Sequence, residues 1–138
     1  MHTDEAARDK AVVDLIRAAV PATLAVYRFG STAAGVDGPD SDIDLAILAA
    51  QPLDALFRFD LQEKLASAVH RAVDLVDLRT ASPVMAMQVL ATGRLLCDAD
   101  PSARGAFEDR TFGAYARLNE ERRGILERVA AEGTVYGR

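Results

Sequence analysis

The amino-acid sequence predicts an α/β or α+β fold. Strand-like and helix-like segments alternate along it, the pattern of a sheet covered by helices. A helical segment also stands between the second and third strand-like runs, so no tight hairpin can join those two strands.

Taken in order, Thr3 is placed to cap a first helix. Asp4 and Glu5 fall in its first turn, where carboxylates suit the helix dipole. Val12, Ile16 and Ala19, with Val13 and Val20, recur at helical spacing, and Pro21 ends the run. A strand follows, in which Leu24, Val26 and Arg28 alternate with Ala25, Tyr27 and Phe29. Gly30 to Gly35 reads Gly-Ser-Thr-Ala-Ala-Gly, a small-residue turn or short helix, and residues 36–41 form a loop. Asp42 to Leu48 is a second strand. Pro52 suits the first position of a helix reaching about His70, with Phe57, Leu61, Leu65 and Val69 on one stripe. Val73 to Leu78 is a third strand. Ser82 and Pro83 open a helix through Ala91, and Gly93 closes it. Arg94 to Cys97 is a short strand. Asp100 and Pro101 start a long helical stretch to about Ala131, broken near Gly105 or Gly113, and Gly133 ends it.

With 138 residues, residues 1–138 fit one domain. Half of the chain is hydrophobic but tryptophan is absent, so the core must rest on Ala, Val, Leu and Ile. No apolar run reaches the ~18–20 residues needed to span a bilayer. Met1 to Lys10 is charged and lacks the apolar stretch of a signal peptide. A lone cysteine, Cys97, excludes an internal disulfide and a cysteine-rich zinc site. Together these features point to the cytoplasm. The net charge of −5 argues against a stable nucleic-acid footprint, which needs a basic surface. It leaves nucleotide chemistry open, because cations screen an acidic site locally.

The chemistry-bearing pattern is Gly30-Ser31, ten residues, then Asp42-Ile43-Asp44. On a strand Asp42 and Asp44 share a face, while Ile43, Leu45 and Ile47 point the other way into a core. Two carboxylates one repeat apart repel each other unless something positive sits between them. A hard, oxygen-preferring divalent cation, Mg²⁺ or Mn²⁺, meets that need. The Gly30-Ser31 turn follows a strand, so its backbone N–H groups can approach a triphosphate closely, with Ser31 adding a hydroxyl donor. A third carboxylate would complete a two-metal site. Asp74 and Asp77 have opposite parity on the third strand, so only one faces the site. Asp74 is the choice, because a carboxylate inside Val73-Asp74-Leu75-Val76 is costly without a task. Asp77, near the strand end and open to solvation, is the fallback.

Gly30-Ser31-x10-Asp42-x-Asp44 with Val73-Asp74-Leu75-Val76 resembles the minimal nucleotidyltransferases of the DNA polymerase β superfamily. The resemblance implies a mixed sheet flanked by helices, with Mg²⁺ and a nucleoside triphosphate. Ser31, Asp42, Asp44 and Asp74 match the motif positions. Many members carry an arginine shortly after the Gly-Ser, where this chain has Ala34. Phosphate binding must then lean on backbone or on another cation, such as Arg28 or Lys64. Phe107-Glu108, Tyr115, Leu118, Arg122 and the closing Gly133-Thr134-Val135-Tyr136-Gly137 look like MntA-type antitoxins. That resemblance implies a HEPN-domain RNase toxin as partner in a hetero-oligomer, and transfer of AMP from ATP to a toxin tyrosine. The helical segment 101–131 is then a partner-binding surface. Two competing readings are a small-molecule nucleotidyltransferase of the aminoglycoside type, and an antitoxin that acts by stoichiometric binding alone.

Elsewhere the bland readings prevail. His70 reads as a helix-end residue, Cys97 as small core, Met85 and Met87 as packing. Arg117, Arg122, Arg123 and Arg128, interleaved with Glu120, Glu121 and Glu127, read as a solvated helix face.

Overall fold

A computed structural model describes residues 2–30, 32, 33, 35 and 41–136, with side chains at all of these except 2, 3 and 132–136. The elements are α1 (His2–Ala19), β1 (Thr23–Phe29), β2 (Ile43–Ala49), α2 (Ala55–Val69), β3 (Val73–Asp77), α3 (Pro83–Thr92), β4 (Arg94–Asp98) and α4 (Pro101–Tyr136). The strands form one sheet in the order β3-β2-β1-β4. β1 pairs antiparallel with β2 and with β4, while β2 and β3 run parallel, joined by α2. The sheet is therefore mixed, as expected.

Alternation sends side chains to two cores. On one face Val26, Leu45, Ile47 and Leu75 pack against Val12 and Ile16 of α1 and Leu61 and Leu65 of α2. On the other, Ala25, Tyr27, Phe29, Ala46 and Leu48 pack against Ala86 and Val89 of α3 and Phe107 of α4. Both faces of the central strands are covered, which is why β1 and β2 read as nearly continuous apolar runs.

Helix ends follow local capping chemistry. Ser82 accepts a hydrogen bond from the Met85 N–H at 3.1 Å with Pro83 at the first helical position, and Gly93 closes α3 as expected. α2 starts three residues later than the position of Pro52 suggests. Asp54 is its cap and accepts from the Phe57 N–H at 3.2 Å, so a carboxylate satisfying an orphan donor outweighs proline at the first position. His70 ends α2 in the left-handed conformation, φ 56°. α1 already begins at His2, and the capping role expected of Thr3 concerns a side chain outside the described ones.

The expected break in the C-terminal helix does not occur. α4 is continuous over 36 residues through Gly105, Gly113 and Gly133. A glycine inside a helix costs only about 1 kcal/mol relative to alanine. The buried side chains of Phe107 and Thr111 hold the helix against the sheet, and that packing outweighs the propensity. Among the described residues no helix is long and apolar enough to cross a membrane.

The exposed border of β3 is closed by its own crossover helix. Gln62 accepts from the Leu75 N–H at 2.9 Å, and Arg58 donates to the Leu75 carbonyl at 3.0 Å. Both backbone groups of a mid-strand residue are thus satisfied by side chains one helical turn apart.

Candidate active site

The parallel register of β2 and β3 places Asp44 directly beside Asp74. Neighbouring strands lie about 4.8 Å apart, so the two carboxylates sprout from adjacent points. Phe29, the last residue of β1, pairs with Asp44 from the other side. Gly30 then turns the chain over the same spot. By alternation Asp44 and Asp74 share the face of Ala46 and Val76, while Ile43, Leu45 and Ile47 enter the α1/α2 core as the sequence predicts. Asp42 stands one residue before β2 rather than within it, and is exposed.

Electrostatics tie the three carboxylates together. Partial burial pushes the Asp44 carboxyl above its usual range, and the neighbouring charges of Asp74 and Asp42 push it further. Asp42 and Asp74 are both solvent-exposed. A half-buried carboxylate with two further carboxylates beside it is an oxygen-donor set that a hard divalent cation relieves, so the residues fit Mg²⁺ or Mn²⁺. Among the described residues no group of three His, Cys, Asp or Glu side chains is gathered tightly enough to enclose an ion as it stands.

Gly30 is required on two grounds. Its φ is +76°, a region that side chains other than glycine rarely adopt, and a Cβ there would run into the Asp44 carboxylate. Gly30→Ala should therefore lower stability by about 2–3 kcal/mol, read as a shift in denaturant midpoint. Asp44→Ala makes room and should recover part of that loss in the double variant. Ser31 and Ala34 lie outside the described residues, as do 36–40.

Two expectations about cations are corrected. Arg28 does not point at the acidic site. It is 0% exposed, on the opposite face of β1, with Nη1 donating to the Thr32 carbonyl at 2.7 Å, Nη2 on Glu5 and Nε 3.1 Å from Asp9. The Arg28 guanidinium holds the Glu5 carboxyl below the usual carboxylate range, with Arg94 adding to the effect. Lys64 is exposed on α2, the helix covering the face away from Asp44. Parity alone could not separate these cases, because the acidic partners of Arg28 lie 19 and 23 residues away in α1.

The burial expected of the two β3 carboxylates is reversed. Asp74 is exposed, whereas Asp77 is 3% exposed and not solvated. Asp77 accepts from the Leu53 N–H at 2.8 Å and the Arg79 N–H at 2.9 Å, and so fastens both connections that leave β2 and β3. The fallback residue is structural.

A further residue escaped the sequence reading. Arg71 donates through Nε to the Ser41 carbonyl at 2.9 Å, and the Ile43 N–H bonds to the Ala72 carbonyl at 2.9 Å. These bonds pin the segment carrying Asp42 to the start of β3. No spacing rule links residues 41 and 71. By contrast, Arg58 and Gln62, four apart on α2, carried a readable signal.

Comparison with known proteins identifies the family. The polymerase beta nucleotidyltransferase family model matches residues 14–102. Protein adenylyltransferase MntA of Shewanella oneidensis is 40% identical over 120 residues, covering 87% of this chain and 86% of the relative. The crystal structure of a toxin–antitoxin with AMP-PNP matches with TM-score 0.81 and 38% identity, over 88% of this chain and 98% of that chain. A complex of tri-AMPylated Shewanella oneidensis HEPN toxin with MNT antitoxin matches with TM-score 0.75 and 36% identity, over 89% of this chain and 96% of that chain. In fold and in sequence, the chain belongs to the polymerase beta nucleotidyltransferase family, among its MntA-like members.

Proposed function

We propose that this chain is the antitoxin of a HEPN/MNT pair, an enzyme that transfers AMP from ATP to a tyrosine hydroxyl of its cognate HEPN RNase toxin and so neutralises it in the cytoplasm. One observation carries the reading: Asp44 and Asp74 stand in register on adjacent strands, next to Asp42 and under the Gly30 turn, in a chain 40% identical to a protein adenylyltransferase. The complexes of related antitoxins with AMP-PNP and with an AMPylated toxin support the same substrate and acceptor class.

Asp42, Asp44 and Asp74 are the catalytic and metal-holding residues in this reading, and Gly30 and Ser31 receive the phosphates. When bound, Mg²⁺ or Mn²⁺ neutralises triphosphate charge and eases ionisation of the acceptor hydroxyl. The backbone of the Gly30 turn orients the triphosphate beside the carboxylates. In this reading Asp74, exposed on the edge strand β3, takes the tyrosine proton. The tyrosine oxygen bonds to the α-phosphorus, the bond from that phosphorus to the bridging oxygen breaks, and pyrophosphate leaves. The test is intact-mass measurement of the toxin after incubation with this protein, ATP and Mg²⁺. Discrete adenylyl additions are expected, and an unmodified toxin would overturn the reading.

The whole chain serves as one minimal nucleotidyltransferase domain, with α4 meeting the partner. Phe112, Ile125, Leu126 and Val129 are all exposed on α4, Leu126 at 66%. Ile125 and Val129 are one turn apart, and Leu118 precedes Ile125 by two turns, giving an apolar stripe suited to a helical partner. Ile125→Asp with Val129→Asp should weaken toxin binding by about 100-fold, the loss of two buried apolar anchors. The melting temperature should stay unchanged. Titration calorimetry checks this, and wild-type affinity in the double variant would remove α4 from the interface.

A further inference from the structure

Arg28 presents an unexplained cost. A guanidinium wholly withdrawn from water is expensive unless its charge and its donors are matched. Here the charge is matched by Glu5 and Asp9, one turn apart on α1, Arg94 of β4 shares Glu5 at 3.3 Å, one donor is spent on the Thr32 carbonyl, and Nε, 3.1 Å from Asp9, makes no hydrogen bond. An apolar residue would fill the position with less difficulty, since Val26, the preceding residue on this face, already lies in the α1/α2 core. What an apolar residue cannot supply is the bond to Thr32.

That bond has a directional consequence. In a trans peptide the carbonyl and the following N–H point opposite ways. A Thr32 carbonyl drawn toward Arg28 turns the Ala33 N–H to the other side of the turn. Gly30, at the start of the same turn, lies against the Asp44 carboxylate, so that other side is the acidic site. We infer that Arg28 is a positioning residue: anchored to α1 by Glu5 and Asp9, it holds the turn after β1 by the Thr32 carbonyl so that backbone N–H groups face the triphosphate. Arg28 thereby supports the turn from beneath, in a chain with Ala34 after the Gly-Ser pair. The consequence for nucleotide binding rests on the adenylyl-transfer reading; the grip on the turn does not.

The test uses the full chain with Arg28→Met, Arg28→Lys, and the double variant Glu5→Gln/Asp9→Asn, which loosens the anchor from the far end. Two quantities are read: amide hydrogen exchange of the peptide spanning 29–35 without ligand, and affinity for AMP-PNP with Mg²⁺. In Arg28→Met, exchange over 29–35 should speed up while that over α2 stays at the wild-type rate. AMP-PNP affinity should fall about tenfold, the worth of one charge-assisted hydrogen bond. KM for ATP in toxin modification should rise with kcat little changed, a split that general destabilisation does not produce. Arg28→Lys should recover part of both. Should Arg28→Met fail to fold, the double variant must show the same two changes for the inference to stand. Wild-type exchange over 29–35 in a folded variant overturns it. Faster exchange with no AMP-PNP binding even by the wild type upholds the grip and sinks the adenylyl reading. Equal AMP-PNP affinity in wild type and Arg28→Met sinks the inference and leaves the reading intact.

Discussion

Asp44→Asn is expected to abolish toxin modification, with a loss of at least about a thousandfold, while leaving the protein folded. Asp44 is the middle member of the acidic set: Asp74 is beside it in register, Asp42 is two residues upstream, and Gly30 closes over it. Asparagine keeps the shape and removes the charge that would hold a cation. The same change should slightly strengthen the metal-free fold. Burial and the charges of Asp74 and Asp42 raise the Asp44 carboxyl above its ordinary range, so the folded state binds this proton more tightly than the unfolded chain. That contribution to stability is fully present below the unfolded pKa and is lost as pH rises through the folded one. At neutral pH the ionised carboxylate therefore opposes folding, and Asp44→Asn should raise the metal-free melting temperature by on the order of a few degrees. Mg²⁺ should stabilise the wild type and not the variant. Intact-mass spectrometry and thermal melts with and without Mg²⁺ check both halves, and undiminished modification would remove Asp44 from the chemistry. In cells, protection from the toxin by a variant lacking all three carboxylates would replace catalysis with binding alone.

Asp77→Ala should lower stability sharply. Its carboxylate is buried and accepts from two backbone N–H groups, those of Leu53 and Arg79. Truncation leaves both donors without this partner, costing about 3 kcal/mol, or a fall in melting temperature on the order of 10 °C. Asp77→Asn keeps an acceptor oxygen and should recover part of the loss. Three residues from Asp74, Asp77 points to the opposite face of β3. Adenylyl transfer measured well below the melting temperature should therefore change only a few-fold. A stability near wild type would show that water reaches these donors.

What the sequence disclosed was governed by periodicity. Period-two alternation places Ile43, Leu45 and Ile47 in the core and leaves Asp44 on the other face, and the helix between the second and third strands excludes a tight hairpin, leaving their parallel pairing to the structure. Asp74 was chosen for a cost of burial that it does not bear, because the edge position of β3 leaves it exposed; the buried carboxylate is Asp77. Strand order is not written in local periodicity. Arg28 was misread for a similar cause: its parity was clear, but its partners come from α1, and no local pattern announces them. Helix limits failed where competing local signals had to be weighed, at Asp54 against Pro52 and at Gly105 and Gly113 against the packing of Phe107.

The closure of β3 by Gln62 and Arg58 sets how other molecules can reach Asp74. A bare sheet rim is an invitation for a foreign chain to zip on in register, whether a substrate segment or another copy during synthesis. With the rim groups of Leu75 already engaged, that mode of attachment is obstructed beside Asp74. A chain approaching this rim meets the side chains of Arg58 and Gln62 in place of open Leu75 backbone, so strand addition finds no free pair of groups there.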